Sequence, residues 1–343
     1  MAPHLLPRLL TVFTTFILSS AIAATPGQFS FRDDPGRSLE VLSDGRAVAR
    51  YMYSGDVSTP EKGLENYKPY LHVLDAEGRE PITKGPGGDY PHHRGIFLGW
   101  SKLTVGDKVY DRWHMKGGEQ FHREFLLQES GAAGAKFTSR VEWMGEDAAP
   151  VLVEERSLSF LPTPGIGYAW IEMSSKLKAV AGETKLNGDP EHSGLQFRPA
   201  SDVQRSETVY FFPKKDANAH ADRDYPWVGQ SFSLRGKRYS VVYFNHPQNP
   251  KGTAFSAYRN YGRFGAWFRD TIPQGGERTL RVRFLIVDGE MPSVELLTRL
   301  SNDFGGVQEP VPVLSVKPAE TAAAAPAKPA SKPTPSATPS TAP

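Results

Sequence analysis

The chain has 343 residues, 40 of them basic and 38 acidic, for a formal net charge of +2, and it contains no cysteine. Near-balanced charge without a basic run gives no footing for nucleic acid or an anionic membrane surface. The missing thiols exclude disulfides, a cysteine nucleophile and thiolate metal ligands.

Residues 1–23 place Arg8 before an apolar stretch, Leu9 to Leu18, and end in Ala21-Ile22-Ala23. This is the pattern of a cleaved signal peptide, so a periplasmic or secreted location is expected. The apolar core falls short of the roughly 20 residues that a bilayer span takes. No later segment has a long uncharged apolar run, so no membrane span is expected in the mature chain. Residues 309–343 are rich in Pro, Ala, Thr, Ser and Lys without apolar period, and read as a disordered tail. Residues 25–308 read as a single domain.

Within that domain the apolar residues recur at period two. RAVARYMY (46–53), FHREFLLQE (121–129), AKFTSRVEW (135–143), VLVEERSLSFL (151–161), YAWIEMSSKLKA (168–179), RYSVVYFN (238–245) and ERTLRVRFLIV (277–287) all alternate. Such alternation predicts half-buried antiparallel strands. Turn clusters such as SDG (43–45), TPEKG (59–63), GPGGD (85–89) and PTPGIG (162–167) separate them. One helix is predicted, SVELLTRLSNDF (293–304), with Pro292 near its start, Gly305 after its end, and Val294, Leu297 and Leu300 on one face. The expected fold is all-β, a large antiparallel two-sheet sandwich with one short C-terminal helix.

Four of the nine histidines fall between residues 90 and 122. In YPHHRGIFLGW (90–100), Pro91 marks a strand entrance because it cannot donate to a ladder. Successive strand residues face opposite sides, so only one of His92 and His93 should face a cleft if the strand already includes them. His93 is favoured, with the other ring bracing the loop, and with Arg94 and Trp100 beside the ligand. In DRWHMKGGEQFHREF (111–125), Trp113, His114 and His122 fit a sugar site, where an indole stacks on C–H faces and polar rings bond hydroxyls. In EHSGLQFRPA (191–200), Glu191 and His192 form a candidate acid/base pair, and Gln196 and Arg198 would share a strand face. In AYRNYGRFGAWFRD (257–270), Tyr258, Arg259, Tyr261 and Arg263 suit an anionic or hydroxylated ligand, because arginine offers a planar fork. A metal set from these histidines stays open: a catalytic zinc takes three protein ligands and an open position, but no HExxH or HxH spacing occurs. GxSxG, P-loop and GxGxxG signatures are also missing.

Taken together, YPHHRGIFLGW, DRWHMKGGEQFHREF, EHSGLQFRPA, and YPWVG followed by YFNHPQNP resemble an exported family labelled PmoA-like, or methane oxygenase PmoA, over nearly all of residues 30–305. The label implies a metal-dependent oxidoreductase. The methane monooxygenase subunit itself is an integral membrane protein, unlike a chain with no span after its N-terminal segment. The context IPQGGERTLRVRFLIVDGEMP resembles the closing strand of the galactose-mutarotase-like supersandwich. That likeness implies histidines and a glutamate moving protons at a sugar carbon. GLQFRP loosely echoes one strand motif of aldose epimerases. Their asparagine-bearing histidine motif is missing here, so no catalytic residue carries over.

The expectation is an exported carbohydrate-active protein acting by epimerisation, elimination or hydrolysis. His93, His92, His192 and Glu191 would transfer protons and the remaining residues named above would bind the sugar. No cofactor is required, although a divalent metal could be held. The alternatives are a non-catalytic glycan-binding module and a metal-dependent oxidoreductase.

Overall fold

The computed structural model describes residues 27–321. The N-terminal segment read as a signal peptide, residues 1–23, and the end of the expected tail, residues 322–343, lie outside the described residues.

Two large sheets, entirely antiparallel, face each other, as the alternation predicted. One has nine strands, in the order Ser315–Pro318, Gln204–Phe212, Trp227–Leu234, Lys237–Asn245, Glu277–Asp288, Ala169–Ala179, Pro150–Leu161, Gly134–Met144 and Gln120–Gly131. The other has eight, in the order Phe29–Asp34, Ser38–Ser43, Arg46–Met52, Tyr70–Val73, Ile96–Trp100, Ser193–Phe197, Phe264–Trp267 and Ala254–Phe255. A third sheet of four short strands, not expected from the sequence, joins Asp270–Ile272, Thr184–Asn187, Lys102–Val105 and Lys108–Tyr110.

The core lies between the large sheets, where inward residues of both interdigitate. The rings of Tyr51 and Phe137 approach to 5.0 Å, and those of Trp100 and Trp143 to 6.0 Å. Along Pro150–Leu161 buried and half-buried positions alternate without a break from Val153 onward. The exception to apolar filling is an ion pair. Glu154 and Arg156, both essentially inaccessible, bond each other, and Glu154 also accepts from Trp143 Nε1 (2.9 Å) and Ser175 Oγ (2.8 Å). Removing one partner of a buried pair strands the other's charge. Glu154→Ala is therefore expected to cost about 3–5 kcal/mol, read from denaturant melts. A loss below 1 kcal/mol would show that Arg156 finds another partner.

The C-terminal helix runs Val294–Gly305, capped by Ser293, whose side chain accepts from Leu296 N, and ended by Gly306 in the left-handed region (φ 62°). Leu297 and Leu300 bury against Trp227, Val242 and Phe244 on the outer face of the nine-stranded sheet. Two expectations need correction. A second, seven-residue helix, Pro60–Asn66, occupies what was read as a turn. Thr59 caps it by accepting from Lys62 N, and proline sits at its first turn, where no N–H is needed. The tail does not begin at 309. Ser315–Pro318 pairs with Gln204–Phe212 and closes an open sheet edge, and Glu320 N donates to the Tyr258 carbonyl at 2.7 Å.

Candidate functional site

Four loops meet over the outer face of the eight-stranded sheet: 90–95, 111–118, 189–192 and 258–263. Three of them run into neighbouring strands of that sheet, Ile96–Trp100, Ser193–Phe197 and Phe264–Trp267. The fourth lies flat on the sheet, since a Cβ on Gly99 would collide with the Arg112 carbonyl, and Trp113 packs on Phe97 with ring centroids 4.6 Å apart. The strand register therefore sets the positions of all four loops.

The loops bring four imidazoles together. His92 lies 4.5 Å from His93 and 4.4 Å from His114, and His114 lies 5.3 Å from His192, ring centre to ring centre. Tyr90 stacks on His93 at 5.1 Å and approaches Tyr261 at 4.8 Å. A cleft of about 170 Å³ is lined by Tyr90, His92, His93, Glu191, His192, Arg259 and Tyr261. A larger cavity of about 430 Å³ lies beside the C-terminal helix, among Pro213, Trp227, Pro247 and Pro312, and has no histidine in its wall.

His114 and His192 are held by one device used twice. Asp111 Oδ1 accepts from the backbone N–H of Trp113 (3.1 Å) and His114 (2.9 Å), and its Oδ2 faces His114 Nδ1 at 2.8 Å. Asp189 Oδ1 accepts from the N–H of Glu191 (2.9 Å) and His192 (3.1 Å) and faces His192 Nδ1 at 2.9 Å. Burial alone would raise the Asp111 carboxyl, but the His114 bonds outweigh it and hold the group at about 2. The His192 bond, against burial, lowers Asp189 too. An ionised carboxylate can only accept, so each Nδ1 carries a proton and Nε2 is the position through which each ring can exchange one.

Of the other two rings, His93 is buried and His92 half-buried, and burial disfavours the charged form of both. Burial, then the charge of Lys68 and the neighbouring imidazoles, lowers His92 to about 2. Burial, then Arg263, His92 and Arg198, holds His93 well below the ordinary imidazole value. His92 Nε2 and His93 Nδ1 are both buried without a hydrogen-bond partner. Lys68 sits under the site, donating to the Trp113 carbonyl at 2.8 Å, and burial pushes its ammonium well below the usual range.

The expectation that only one of the paired rings could face the cleft is corrected. It required the strand to include them, but the strand starts at Ile96. Residues before it turn, with Tyr90 at φ 55°, and both rings line the cleft. Glu191 also lines it. Burial would raise its carboxyl, but Arg259 (Nε at 2.9 Å), Arg263 and the Tyr258 hydroxyl (3.1 Å) outweigh that and lower it, which suits an anchoring carboxylate better than a proton donor. Arg259 and Tyr261 are cleft residues. Tyr258 does not line the cleft: its hydroxyl bonds Glu191 from behind, and its ring lies 4.2 Å from that of His220.

Several proposed sugar contacts are elsewhere. Trp100 points inward to Trp143 and Phe268 in the main core, because it stands on the inner side of its strand. Trp113 is wholly buried on Phe97 and Tyr70, so it supports the histidines and offers no stacking face. His122 packs between Tyr53 and Phe125 (4.7 and 4.4 Å) with Nδ1 at 2.6 Å from Ser139 Oγ, apart from the cleft. Arg94 donates to the carbonyls of Pro91, His93 and Leu64 and braces the loop against the Pro60–Asn66 helix. Gln196, Arg198 and Arg263 are wholly buried beneath the cleft. Asp111, Asp189 and Tyr90 were not singled out. The repeated Asp-x-x-His spacing at 111–114 and 189–192 was a readable signal for the first two.

Among the described residues, no group of three or more His, Asp or Glu side chains has an arrangement that could hold a metal ion, and no helix is long and apolar enough to cross a membrane.

No curated protein matches the chain. Among solved structures it is similar to a heparan sulfate lyase mutant from Pedobacter heparinus, at 12% identity and a TM-score of 0.39, over 76% of this chain and 36% of that one. It thus spans about a third of that lyase. It is similar to a structural-genomics target protein from Synechocystis at 10% identity and a TM-score of 0.37, over 80% of this chain and 100% of that one. A candidate aldose 1-epimerase from Escherichia coli K12 gives 10% identity and a TM-score of 0.30, over 77% and 100%. A family of unknown function, DUF6807, matches residues 38–301, and the chain belongs to that family.

Proposed function

We propose that this is an exported carbohydrate-active enzyme in which His114 and His192 move protons on a sugar bound against Tyr90, His92, His93 and Tyr261. The observation that carries the reading is the pair of aspartate-held imidazoles, 5.3 Å apart, of which His192 lines the cleft and His114 adjoins its His92 wall. Fixing Nδ1–H on a carboxylate leaves Nε2 as a base, and the same carboxylate stabilises the ring once it takes a proton.

The spacing favours one class of step. Two rings side by side reach neighbouring atoms of a substrate from the same side. One Nε2 takes a proton from carbon or water. The other ring, entering protonated, gives its proton to the glycosidic oxygen as the carbon–oxygen bond breaks. Elimination or hydrolysis fits this arrangement. Epimerisation, which needs groups on opposite faces of one carbon, fits it less well.

The full chain, incubated with a panel of glycans and followed by mass spectrometry, should yield a shortened product. Binding without any product would favour the non-catalytic module. The reading assigns the chemistry to imidazoles alone, so protein purified without added ions should lack stoichiometric zinc, copper or iron. One equivalent of any of these would overturn that assignment.

A further inference from the structure

Beneath the cleft lies a group of buried basic side chains whose hydrogen bonding is incomplete. Arg198 and Arg263 are wholly buried, yet on both the Nε and one terminal nitrogen have no hydrogen-bond acceptor. Arg198 spends its other terminal nitrogen on the carbonyls of Pro199 and Tyr261, and Arg263 spends its own on the Glu191 carbonyl. Among the described residues, no carboxylate contacts Arg198. The carboxylate near Arg263, Glu191 Oε2, is 3.6 Å away, and its other oxygen is taken by Arg259 and Tyr258. Asp111 and Asp189 are bound to their histidines. Lys68 and Lys84, also buried, bond only to carbonyls.

Unpaired guanidinium N–H groups in the interior are costly, and a planar fork matches a carboxylate or sulfate. Both arginines touch the cleft wall through the backbone of Tyr261 and Glu191, and both lower the proton affinity of His93, whose Nδ1 lacks a partner. We propose that Arg198, Arg263 and His93 form a subsite for an oxyanion carried by the sugar, a uronate carboxylate or a sulfate ester. This rests on the sugar-acting reading above and names its substrate class.

Calorimetric titration of the full chain tests it with four probes: a uronate-containing oligosaccharide, its methyl ester, a sulfated oligosaccharide and its desulfated form. A charge-assisted contact makes the charged member of a pair bind about 10- to 100-fold more tightly. Whichever charged probe gains identifies the oxyanion. Arg198→Gln should bring charged and neutral forms level. Because a buried substitution can unfold the chain, the wild-type comparison decides. Equal or tighter binding of both neutral forms overturns the subsite and leaves the enzyme reading standing. Tight binding of a charged probe without product supports the subsite and counts against the enzyme reading. No binding by any probe overturns both.

Discussion

His192→Ala is expected to lower turnover by about 10²–10⁴-fold with the fold intact, the range that one positioned acid or base supplies. The side chain is half exposed, and its recorded polar partner is Asp189, so its loss leaves no buried cavity. Asp189→Asn should cost part of that factor, because an amide can accept from Nδ1–H but cannot stabilise a protonated ring. His122→Ala is the internal control. It removes a ring packed on Tyr53 and Phe125, so it should lower stability and leave kcat unchanged. Turnover by His192→Ala at the wild-type rate would remove His192 from the mechanism, and a kcat loss in His122→Ala would mean the cleft is wrongly drawn.

The second large effect is acid sensitivity well above the carboxylate range. Burial, with Arg50 and Arg94, lowers His72 to about 3, and burial holds His93 well below its ordinary value. An unfolded imidazole binds a proton near pH 6.5, whereas these stay neutral in the folded chain. The unfolded state therefore binds more protons below pH 6.5. Stability is full above that pH and falls as the pH drops, by about 1.4 kcal/mol per histidine per pH unit. For His72 the loss is about 2 kcal/mol at pH 5, and His93 adds to it in the same direction. His92 (about 2) and His122 (about 4), less completely buried, add smaller losses in the same direction. Urea melts at pH 7 and pH 5 measure this. Equal midpoints would mean that the rings gain protons in the native state.

Strands with one wet face were legible because a two-residue period has one structural cause. Pro150–Leu161 and Glu277–Asp288 emerge within a residue or so of their expected bounds. Turns needing outside partners were less so. The Thr59-Pro60 start looked like a turn because seven residues carry too little period to show a helix. Ser315–Pro318 was hidden in a proline-rich context, and an edge strand draws its reason from the neighbour that it covers.

At the site, clustering of histidines in sequence pointed to the right region but could not separate members from bystanders. His114 and His122 are eight residues apart, but one lies on a loop over the outer face and the other packs against Tyr51 and Tyr53. Trp100 and Trp113 show the same limit, because a tryptophan that stacks on sugar and one that fills a core are the same letters. Which buried arginine keeps unbonded nitrogens is a property of folded neighbours. Arg198 and Arg263 were candidates by composition, but their unpaired nitrogens emerge only in three dimensions.

The central claim is that three cleft histidines and His114, packed against two of them, act on a sugar, and imidazole NMR tests it most directly. During titration with a glycan that the protein binds, the ring resonances of His92, His93, His114 and His192 should shift together along one binding curve, while those of His122 stay in place. Saturation with the four unmoved would contradict the account.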